Sequence, residues 1–302
     1  MIRLENLSKE FKGVRVVDGL SLHVKKGEIF GLLGPNAAGK TTAIRMLCNL
    51  LELSDGKAYI SGIDIASNSK KLKFAIGYVA QDFGLYEKLS VYENLEFYAN
   101  LYEDVKEDDL LALLEKYKLL EFSSKAAGSL SGGYKRRLSL CCALSHNPEV
   151  LFLDEPTAGI DPASRKELWD VFYDLAQEGK TLFVTTHYME EAQRCNTIAF
   201  LNHGKKVIEG SPYEVTNSLE EYTIYKTKET FEHTLLKHLQ ADKNVYLVNL
   251  FGDELRVMVY KTFAKESLEL LMHPFMKEQC ELELAEANLE DVFIALTKDE
   301  VS

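Results

Sequence analysis

Hydrophobic positions along the chain follow two different periods, which predicts a protein with both strands and helices. Apolar and polar residues alternate over 2–7, the period of two that is typical of a half-buried strand. Apolar runs at 29–33 and 150–153 have the length of strands that are buried on both faces of a parallel sheet, and 182–186 is a further run of β-forming residues. Over 90–122 apolar residues recur at spacings of three and four, which indicates helices. The α/β fold class is therefore predicted.

The same patterns divide the chain into two parts. Up to 217, weaker strand patterns accompany the buried runs, and they lie at 14–17, 20–24, 57–60, 75–79, 198–201 and 206–209. From 218 onwards, strands and helices alternate at 222–225, 228–239, 245–250, 254–259, 263–271 and 282–284. We therefore expect a large domain at 1–217 and a small α+β accessory domain at 218–302.

Composition limits the class of protein. The chain has 302 residues, of which 46% are hydrophobic, enough for a buried core in one large or two modest domains. No apolar run reaches the roughly 18 residues of a membrane-spanning helix, and charges interrupt the first residues, so neither a spanning segment nor a signal peptide is expected. The five cysteines form no C-x-x-C pair, which indicates reduced thiols. A cytosolic protein is expected.

The charge of the chain argues against nucleic acid as a partner. The formal net charge is −12, whereas non-specific binding to a phosphate backbone needs a basic face. The cluster Lys70-Lys71-Leu72-Lys73 is short and is interpreted as a solvated face.

The segment Gly34–Thr42 carries the strongest chemical signal. It has the pattern G-x-x-x-x-G-K-[ST] and lies between an apolar run and a helical pattern at 43–48, which is the strand–loop–helix context that this pattern needs. Backbone N–H groups and the positive end of the helix can hold phosphate oxygens in such a loop. Lys40 can reach the terminal phosphates, and the Thr41 hydroxyl can bind Mg²⁺. A phosphate-binding loop is therefore predicted.

Polar side chains follow the other predicted strands. Asp154 and Glu155 end a buried run, and buried carboxylates are unfavourable unless a cation pairs with them. Beside a phosphate loop, we expect Asp154 on Mg²⁺ and Glu155 as the base that orients water. Gln81 and His187 each follow another strand, so both are predicted at the same edge of the sheet. A lone histidine is more often structural. Only the other predicted site residues favour a functional role for His187.

Two further features are ambiguous on the residues alone. Ser131-Gly132-Gly133 precedes a helical run and can form a second anion site, but the same residues also make an N-capped turn. Phe11 lies on a loop before the phosphate loop, where it can stack on a base or be a partly buried turn aromatic.

Taken in order, these motifs resemble the nucleotide-binding subunit of an ABC transporter. The resemblance covers about residues 1–215 and rests on Gly34–Thr42, Gln81, Leu130–Gly133, Leu153–Pro156, Ala158–Pro162 and Thr186-His187. The Leu-Ser-Gly-Gly signature is specific to this class among P-loop proteins. The resemblance implies a P-loop NTPase core with a RecA-like mixed sheet, an antiparallel β subdomain and a helical subdomain at about 85–148. It also implies an ATPase that uses ATP and Mg²⁺.

The family's functional roles carry over position by position. The expected ATP-binding residues are Phe11, Val16, Asn36, Ala37, Ala38, Gly39, Lys40, Thr41, Thr42, Gln81, Ser131, Gly132, Gly133 and Asp161. The expected Mg²⁺ ligands are Thr41, Gln81 and Asp154. The expected catalytic residues are Glu155 as base and His187 as sensor of the γ-phosphate, with Lys40 and Gln81.

The resemblance also implies partners. Two ATPase subunits of this family close head to tail, so a homodimer or pseudo-dimer is expected, each site combining one phosphate loop with the other subunit's signature. Segments similar to bacterial exporters of the drug, polyketide and polysaccharide type lie at 135–139, 155–162, 186–192 and 289–297. In those exporters the transmembrane permease is a separate chain, which places the ATPase on the cytoplasmic face of the membrane.

Two positions depart from the family pattern. Ala37 stands where the family usually has Gly, so a positive φ there would strain the backbone by roughly 1 kcal/mol or more. Tyr134 stands where Gln or Met is commoner, beside the partner's nucleotide.

Other functions remain as alternatives to a transporter subunit. A soluble ABC ATPase of DNA repair would carry a long coiled-coil insertion between Gln81 and Ser131, a translation factor would carry two ATPase units, and a P-loop kinase would lack the signature. After Gln81, the residues Phe83, Leu85 and Tyr86 either form a groove for the permease or pack the helical segment onto the sheet. Regulation, dimer support or partner contact is expected of 218–302.

Overall fold

The computed structural model describes residues 1–102, 106–277 and 281–298, which form two compact units, Met1–Ser211 and Pro212–Ser302. The elements of the first unit are, in chain order, β1 (Ile2–Phe11), β2 (Val14–Val24), β3 (Ile29–Leu33), α1 (Lys40–Leu47), β4 (Asp55–Ile60), β5 (Ile63–Asp64), α2 (Ser69–Ala75), β6 (Ile76–Val79), α3 (Val91–Ala99), α4 (Glu107–Lys116), α5 (Gly132–Leu144), β7 (Val150–Asp154), α6 (Pro162–Gln177), β8 (Thr181–Thr186), α7 (Met189–Ala192), β9 (Thr197–Asn202) and β10 (Lys205–Gly210). Those of the second unit are α8 (Pro212–Thr216), β11 (Tyr222–Thr227), α9 (Thr234–Ala241), β12 (Val245–Phe251), β13 (Glu254–Tyr260), α10 (Lys265–Met272), β14 (Glu283–Ala285) and α11 (Leu289–Thr297).

A six-stranded mixed sheet forms the centre of the first unit. Its strand order is β10-β9-β3-β8-β7-β6, and all neighbours are parallel except β10 and β9. Every residue of β3, β7 and β8 is buried, which accounts for the apolar character of β3 and of β7 before Asp154; β8 also buries three threonines. Because the strands are parallel, the residues that follow β3, β6, β7 and β8 meet at one edge of the sheet. The predicted α/β class and P-loop type of sheet are confirmed.

A second sheet of the first unit is antiparallel and has the order β2-β1-β4-β5. The sequence patterns predicted two strands, at 14–17 and 20–24, but the structure has the single strand β2. Its pairing with β1 shifts between Leu7–Leu20 and Lys9–Val17, and Gly19 has a φ of 65° at that point. A β-bulge therefore absorbs the extra residue that interrupted the alternation.

A buried asparagine of α3 holds the preceding loop onto that helix. Ser90 caps α3 and forms a capping box with Glu93, so the helix begins where the sequence predicted it. Asn94 is fully buried, accepts a hydrogen bond from the Tyr86 N–H at 2.9 Å, and donates to the carbonyls of Tyr86 and Ser90 at 3.0 and 2.9 Å. These bonds hold the loop from Tyr86 to Ser90 against α3.

The second unit has a four-stranded antiparallel sheet of order β12-β13-β11-β14. The unit begins at Pro212 rather than at the expected 218, because α8 packs against α11. Helix α9 begins at Thr234 rather than at 228, since Phe231 forms a bridge with Met276 instead of a helical turn. No helix among the described residues has the length and apolar character needed to cross a membrane.

The loop between β3 and α1 has a strongly constrained backbone. A Cβ atom at Gly34 would lie 2.2 Å from the Leu201 carbonyl oxygen, and one at Gly39 would lie 2.6 Å from that of Val16. Gly39 has a φ of 104°, and Ala37 has a φ of 66°. The left-handed conformation suspected at Ala37 is therefore present, and its Cβ strains the loop.

We predict that Ala37→Gly raises the free energy of unfolding by up to about 1 kcal/mol, because glycine adopts a positive φ without the steric cost. The strain belongs to the folded loop itself, so ATP affinity is expected to change little. Urea unfolding measures the gain, and Ala38→Gly is the matched control, since Ala38 is buried and its φ is not positive. An Ala37→Gly chain that is no more stable than the unsubstituted chain would contradict the prediction.

Candidate functional site

The edge of the mixed sheet brings together most of the residues that the sequence singled out. The phosphate loop follows β3, Asp154 ends β7, Gln81 follows β6 and His187 follows β8. Hydrogen bonds and ion pairs join these groups directly.

Lys40 lies buried under its own loop. Its side chain is 4% exposed, and its Nζ donates hydrogen bonds to the carbonyl oxygens of Gly34 at 2.8 Å and Pro35 at 3.1 Å. The same Nζ lies 3.5 Å from Glu155 Oε1. Burial lowers the pKa of Lys40, while the neighbouring carboxylates of Glu155 and Asp154 oppose that shift. The ammonium is thus held beside the Glu155 carboxylate at the floor of the loop.

Asp154 presents one satisfied and one unsatisfied carboxylate oxygen. Its Oδ1 accepts hydrogen bonds from the hydroxyls of Thr185 at 2.6 Å and Thr41 at 3.2 Å. Its Oδ2 is buried and has no hydrogen-bond partner among the residues that the structure describes. Burial raises the pKa of Asp154, and the two hydroxyls oppose the shift. A buried carboxylate oxygen beside the Thr41 hydroxyl is the hard oxygen donor set that Mg²⁺ prefers, so the residues present fit this ion.

Glu155 is the point at which three predicted site residues meet. Lys40 pairs with its Oε1. The Gln81 amide donates a hydrogen bond to Glu155 Oε2 at 3.1 Å, and His187 Nδ1 lies 3.3 Å from Oε1. Glu155 is 7% exposed, so these polar neighbours compensate a carboxylate that is removed from water.

The backbone of Glu155 is strained as well. Its φ is 46°, in the left-handed region that a residue with a long side chain rarely adopts. Its N–H donates to the Thr185 carbonyl at 3.2 Å and to the Thr185 hydroxyl at 3.0 Å. These two bonds hold the conformation that points the carboxylate at Lys40, Gln81 and His187.

The signature residues and Asp161 do not join this cluster within one chain. Ser131 caps α5 and accepts from the Tyr134 N–H at 3.5 Å, and Asp161 caps α6 and accepts from the Ser164 N–H at 3.0 Å. Ser131 and Gly132 are exposed. In the described ranges no hydrogen bond or ion pair links them to the phosphate loop. Their contact with ATP remains a prediction.

The proposed base-stacking residues lie at the start of β2 and the end of β1. Phe11 is 44% exposed, and the Lys9 ammonium lies 5.1 Å from the centre of its ring. The Val16 carbonyl faces Gly39 of the phosphate loop. Stacking of Phe11 on adenine and contact of Val16 with the base remain predictions. Tyr134 packs on Phe122, with ring centres 4.5 Å apart.

The structure also shows site residues that the sequence patterns did not reveal. Thr185 contacts both Asp154 and Glu155, but it resembles any polar residue of a buried strand. The Arg136 guanidinium of α5 donates to the carbonyls of Ala80 at 3.1 Å and Ala158 at 3.4 Å, so it joins the segments on either side of the site. No period or spacing distinguishes these residues from their neighbours in the sequence.

A groove adjoins the site on the side of the helical segment. It has a volume of about 270 Å³, and its lining includes Asp82, Leu85, Tyr98, Tyr102 and His146. The rings of Tyr102 and His146 stack with centres 3.7 Å apart. Near it, Tyr86 is 51% exposed and packs on Phe97, while Phe83 is partly buried with the Lys135 ammonium 5.1 Å from its ring.

Known proteins are similar to this chain in sequence. The family model described as ABC transporter matches residues 17–158. YbhF of Escherichia coli, a probable multidrug ABC transporter ATP-binding protein, is 40% identical over 215 residues, which are 70% of this chain but 37% of YbhF. The chain thus spans little more than a third of that relative's length. LnrL of Bacillus subtilis, a linearmycin resistance ATP-binding protein, is 32% identical over 305 residues, 98% of each chain. Nod factor export ATP-binding protein I of Rhizobium sp. is 35% identical over 99% of this chain and 98% of its own.

Solved structures agree in fold. The protein cbiO1 from Clostridium perfringens, part of the ABC transporter complex cbiONQ, matches with a TM-score of 0.66 at 28% identity, over 72% of this chain and 91% of that one. An ATP-binding cassette solved as a dimer in a post-hydrolysis state with ADP and Pi matches with a TM-score of 0.65 at 26% identity, over 70% and 98%. Since the similarity to LnrL extends over nearly the whole of both chains, this chain belongs to the family of ABC transporter ATP-binding proteins.

Proposed function

We propose that this chain is the ATP-hydrolysing subunit of an ABC exporter and drives a separate transmembrane permease from the cytoplasmic face of the membrane. The observation that carries the proposal is that Lys40, Gln81 and His187 all contact Glu155. Glu155 directly follows Asp154, whose Oδ2 has no hydrogen-bond partner among the described residues. This arrangement supplies an anion site, a cation site and a base within one cluster.

Each residue of the cluster has a role in hydrolysis. The phosphate loop binds the phosphates of ATP through its N–H groups, and Lys40 pairs with their charge. Glu155 orients the attacking water and takes its proton, and His187 and Gln81 hold that carboxylate in place. Thr41 and Asp154 would hold Mg²⁺, with Gln81 as a third ligand, and the ion would supply neutralisation of phosphate charge.

Transport, rather than another use of ATP, is supported by the relatives. YbhF, LnrL and the Nod factor protein are named for multidrug transport, linearmycin resistance and Nod factor export. The last two align over the C-terminal unit as well, so that unit belongs to the exporter type and not to an unrelated fusion. No observation on this chain favours a soluble ABC ATPase that acts without a permease.

We further propose that the groove beside Leu85 receives the permease and that the working unit is a head-to-tail dimer. Tyr86 is half exposed, which favours an interface over a core role, and Asn94 attaches this segment to α3. The exposed Ser131 and Gly132 have no hydrogen bond or ion pair to their own phosphate loop among the described residues, so they are available to a second subunit.

We predict that Glu155→Gln keeps ATP binding but removes most hydrolysis and traps an ATP-bound dimer, because the amide cannot take a proton from water. His187→Ala should also lower turnover strongly, with a smaller effect on binding. Phosphate release, nucleotide binding and size-exclusion chromatography measure the three outcomes. Unchanged turnover of the Glu155→Gln chain would rule out its role as base.

If the working unit is this dimer, we predict that two inactive variants restore ATPase activity when they are mixed. Lys40→Ala and Ser131→Arg should each be inactive alone, while a mixed dimer retains one intact site. Random pairing should therefore restore about a quarter of the normal ATPase activity, since half the dimers are mixed and each has one of two sites. Normal hydrolysis by the Ser131→Arg chain alone would exclude a shared site.

The groove predicts a separation of ATPase activity from docking. Phe83→Ala and Tyr86→Ala should leave the basal ATPase of the purified chain within a few-fold, weaken co-purification with the permease and abolish transport. Leu50→Ala is the control, since Leu50 is also exposed and lies after α1, outside the segment 83–86. Normal association of both variants would remove this groove as the docking site, and loss of folding would assign the two rings to the core.

A further inference from the structure

The buried carboxylate of Glu191 joins the two chain segments that carry Glu155 and His187. Glu191 is 1% exposed and lies in α7. Its Oε1 accepts a hydrogen bond from the hydroxyl of Thr157, two residues after Glu155. Its Oε2 accepts one at 2.7 Å from the hydroxyl of Thr186, the residue directly before His187. One side chain therefore sets the spacing between the two segments.

Arg165 supplies the positive charge that this buried carboxylate requires. Arg165 Nε lies 3.6 Å from Glu191 Oε1, and its guanidinium lies 4.8 Å from the centre of the Tyr188 ring. The Tyr188 ring in turn packs on the His187 ring, with centres 4.0 Å apart, and the Tyr188 N–H donates to the Thr186 hydroxyl at 3.0 Å. The imidazole of His187 is thus backed by a ring that the same network holds.

The network also reaches the segment predicted to face a second subunit. Arg165 lies in the first turns of α6, which begins at Pro162 and is capped by Asp161. The Arg165 N–H donates to the Asp161 carbonyl at 2.9 Å. A displacement of Asp161 would therefore shift Arg165, and with it the cation that pairs with Glu191.

We propose that Glu191 is a positioning residue for ATP hydrolysis: through Thr186 and Tyr188 it holds His187 at the distance from Glu155 that turnover requires. The inference rests on the proposed ATPase function, since it assigns Glu191 a role in that same site. It differs from a role in stability alone, because the two hydroxyls that Glu191 binds lie on the segments that carry the catalytic groups and not elsewhere in the core.

The first test compares three variants on α7. Glu191→Ala should lower kcat by on the order of tenfold to a hundredfold and leave the KM for ATP near its normal value, because a misplaced catalytic group slows the chemical step and not binding. Glu191→Gln should recover most of the loss, since its amide can accept from one hydroxyl and donate to the other. Glu190→Gln is the matched control, because Glu190 is exposed on the same helix.

The second test is a double-mutant cycle on the full chain. In the His187→Ala background, Glu191→Ala should lower kcat by about twofold at most, because the residue through which Glu191 acts is already gone. An equal fold loss in both backgrounds would overturn the proposal, and so would a loss confined to the KM for ATP. If Glu191→Ala does not fold, Thr186→Val gives the same cycle, since it removes the hydroxyl donor and keeps the side-chain shape.

The two proposals fail in different ways. If the unsubstituted chain hydrolyses ATP and Glu155→Gln stops it, the proposed function stands and the cycle reports on Glu191 alone. If the unsubstituted chain, assayed alone and with its permease, hydrolyses no ATP, both proposals are overturned.

Discussion

Two buried carboxylates in succession at the end of β7 are the constraint on which the site depends. Asp154 and Glu155 are 1% and 7% exposed, and removal of two adjacent negative charges from water costs several kcal/mol for each unless polar groups compensate. The fold meets this cost with the Lys40 ammonium, with hydroxyls and with an amide. It leaves one carboxylate oxygen, Oδ2 of Asp154, without a partner among the described residues. This oxygen is the donor that the proposed Mg²⁺ would take.

The same constraint links anion binding to the state of Glu155. Lys40 is shared between two loop carbonyls and the Glu155 carboxylate, so a phosphate that pairs with Lys40 competes with Glu155 for the same ammonium. Gln81 and His187 remain as polar neighbours of the carboxylate once that ammonium is engaged. Binding of a phosphate at Lys40 and compensation of the buried Glu155 charge are therefore coupled through one ammonium.

How much the sequence predicts depends on the range of the interaction. The phosphate loop, the buried strands and the residues after each strand follow local rules of spacing and topology, and the cluster around Glu155 was predicted from them. The strand β2 was predicted as two, because a bulge at Gly19 interrupts the alternation without ending the pairing. Helix α9 was predicted too long, since the pairing of Phe231 with Met276 over a long sequence separation overrides the local period. Thr185 and Glu191 were not singled out as site residues, because the fold brings Glu155 to Thr185 over 30 residues and Thr157 to Glu191 over 34.

Glu190 and Glu191 show where prediction of site residues from the sequence ends. The two adjacent carboxylates are chemically identical in the sequence, yet one is exposed and the other is 1% exposed in a network of Thr157, Thr186 and Arg165. The difference arises because a helix turns successive side chains by about 100°, so that only one of the pair faces the sheet edge. A catalytic residue is found from its motif, whereas the residue that holds it in place is found only from the contacts that the fold creates. In this chain those contacts run from the segment after Glu155, through Glu191, to the segment before His187, and the relative placement of the two groups is a property of that path.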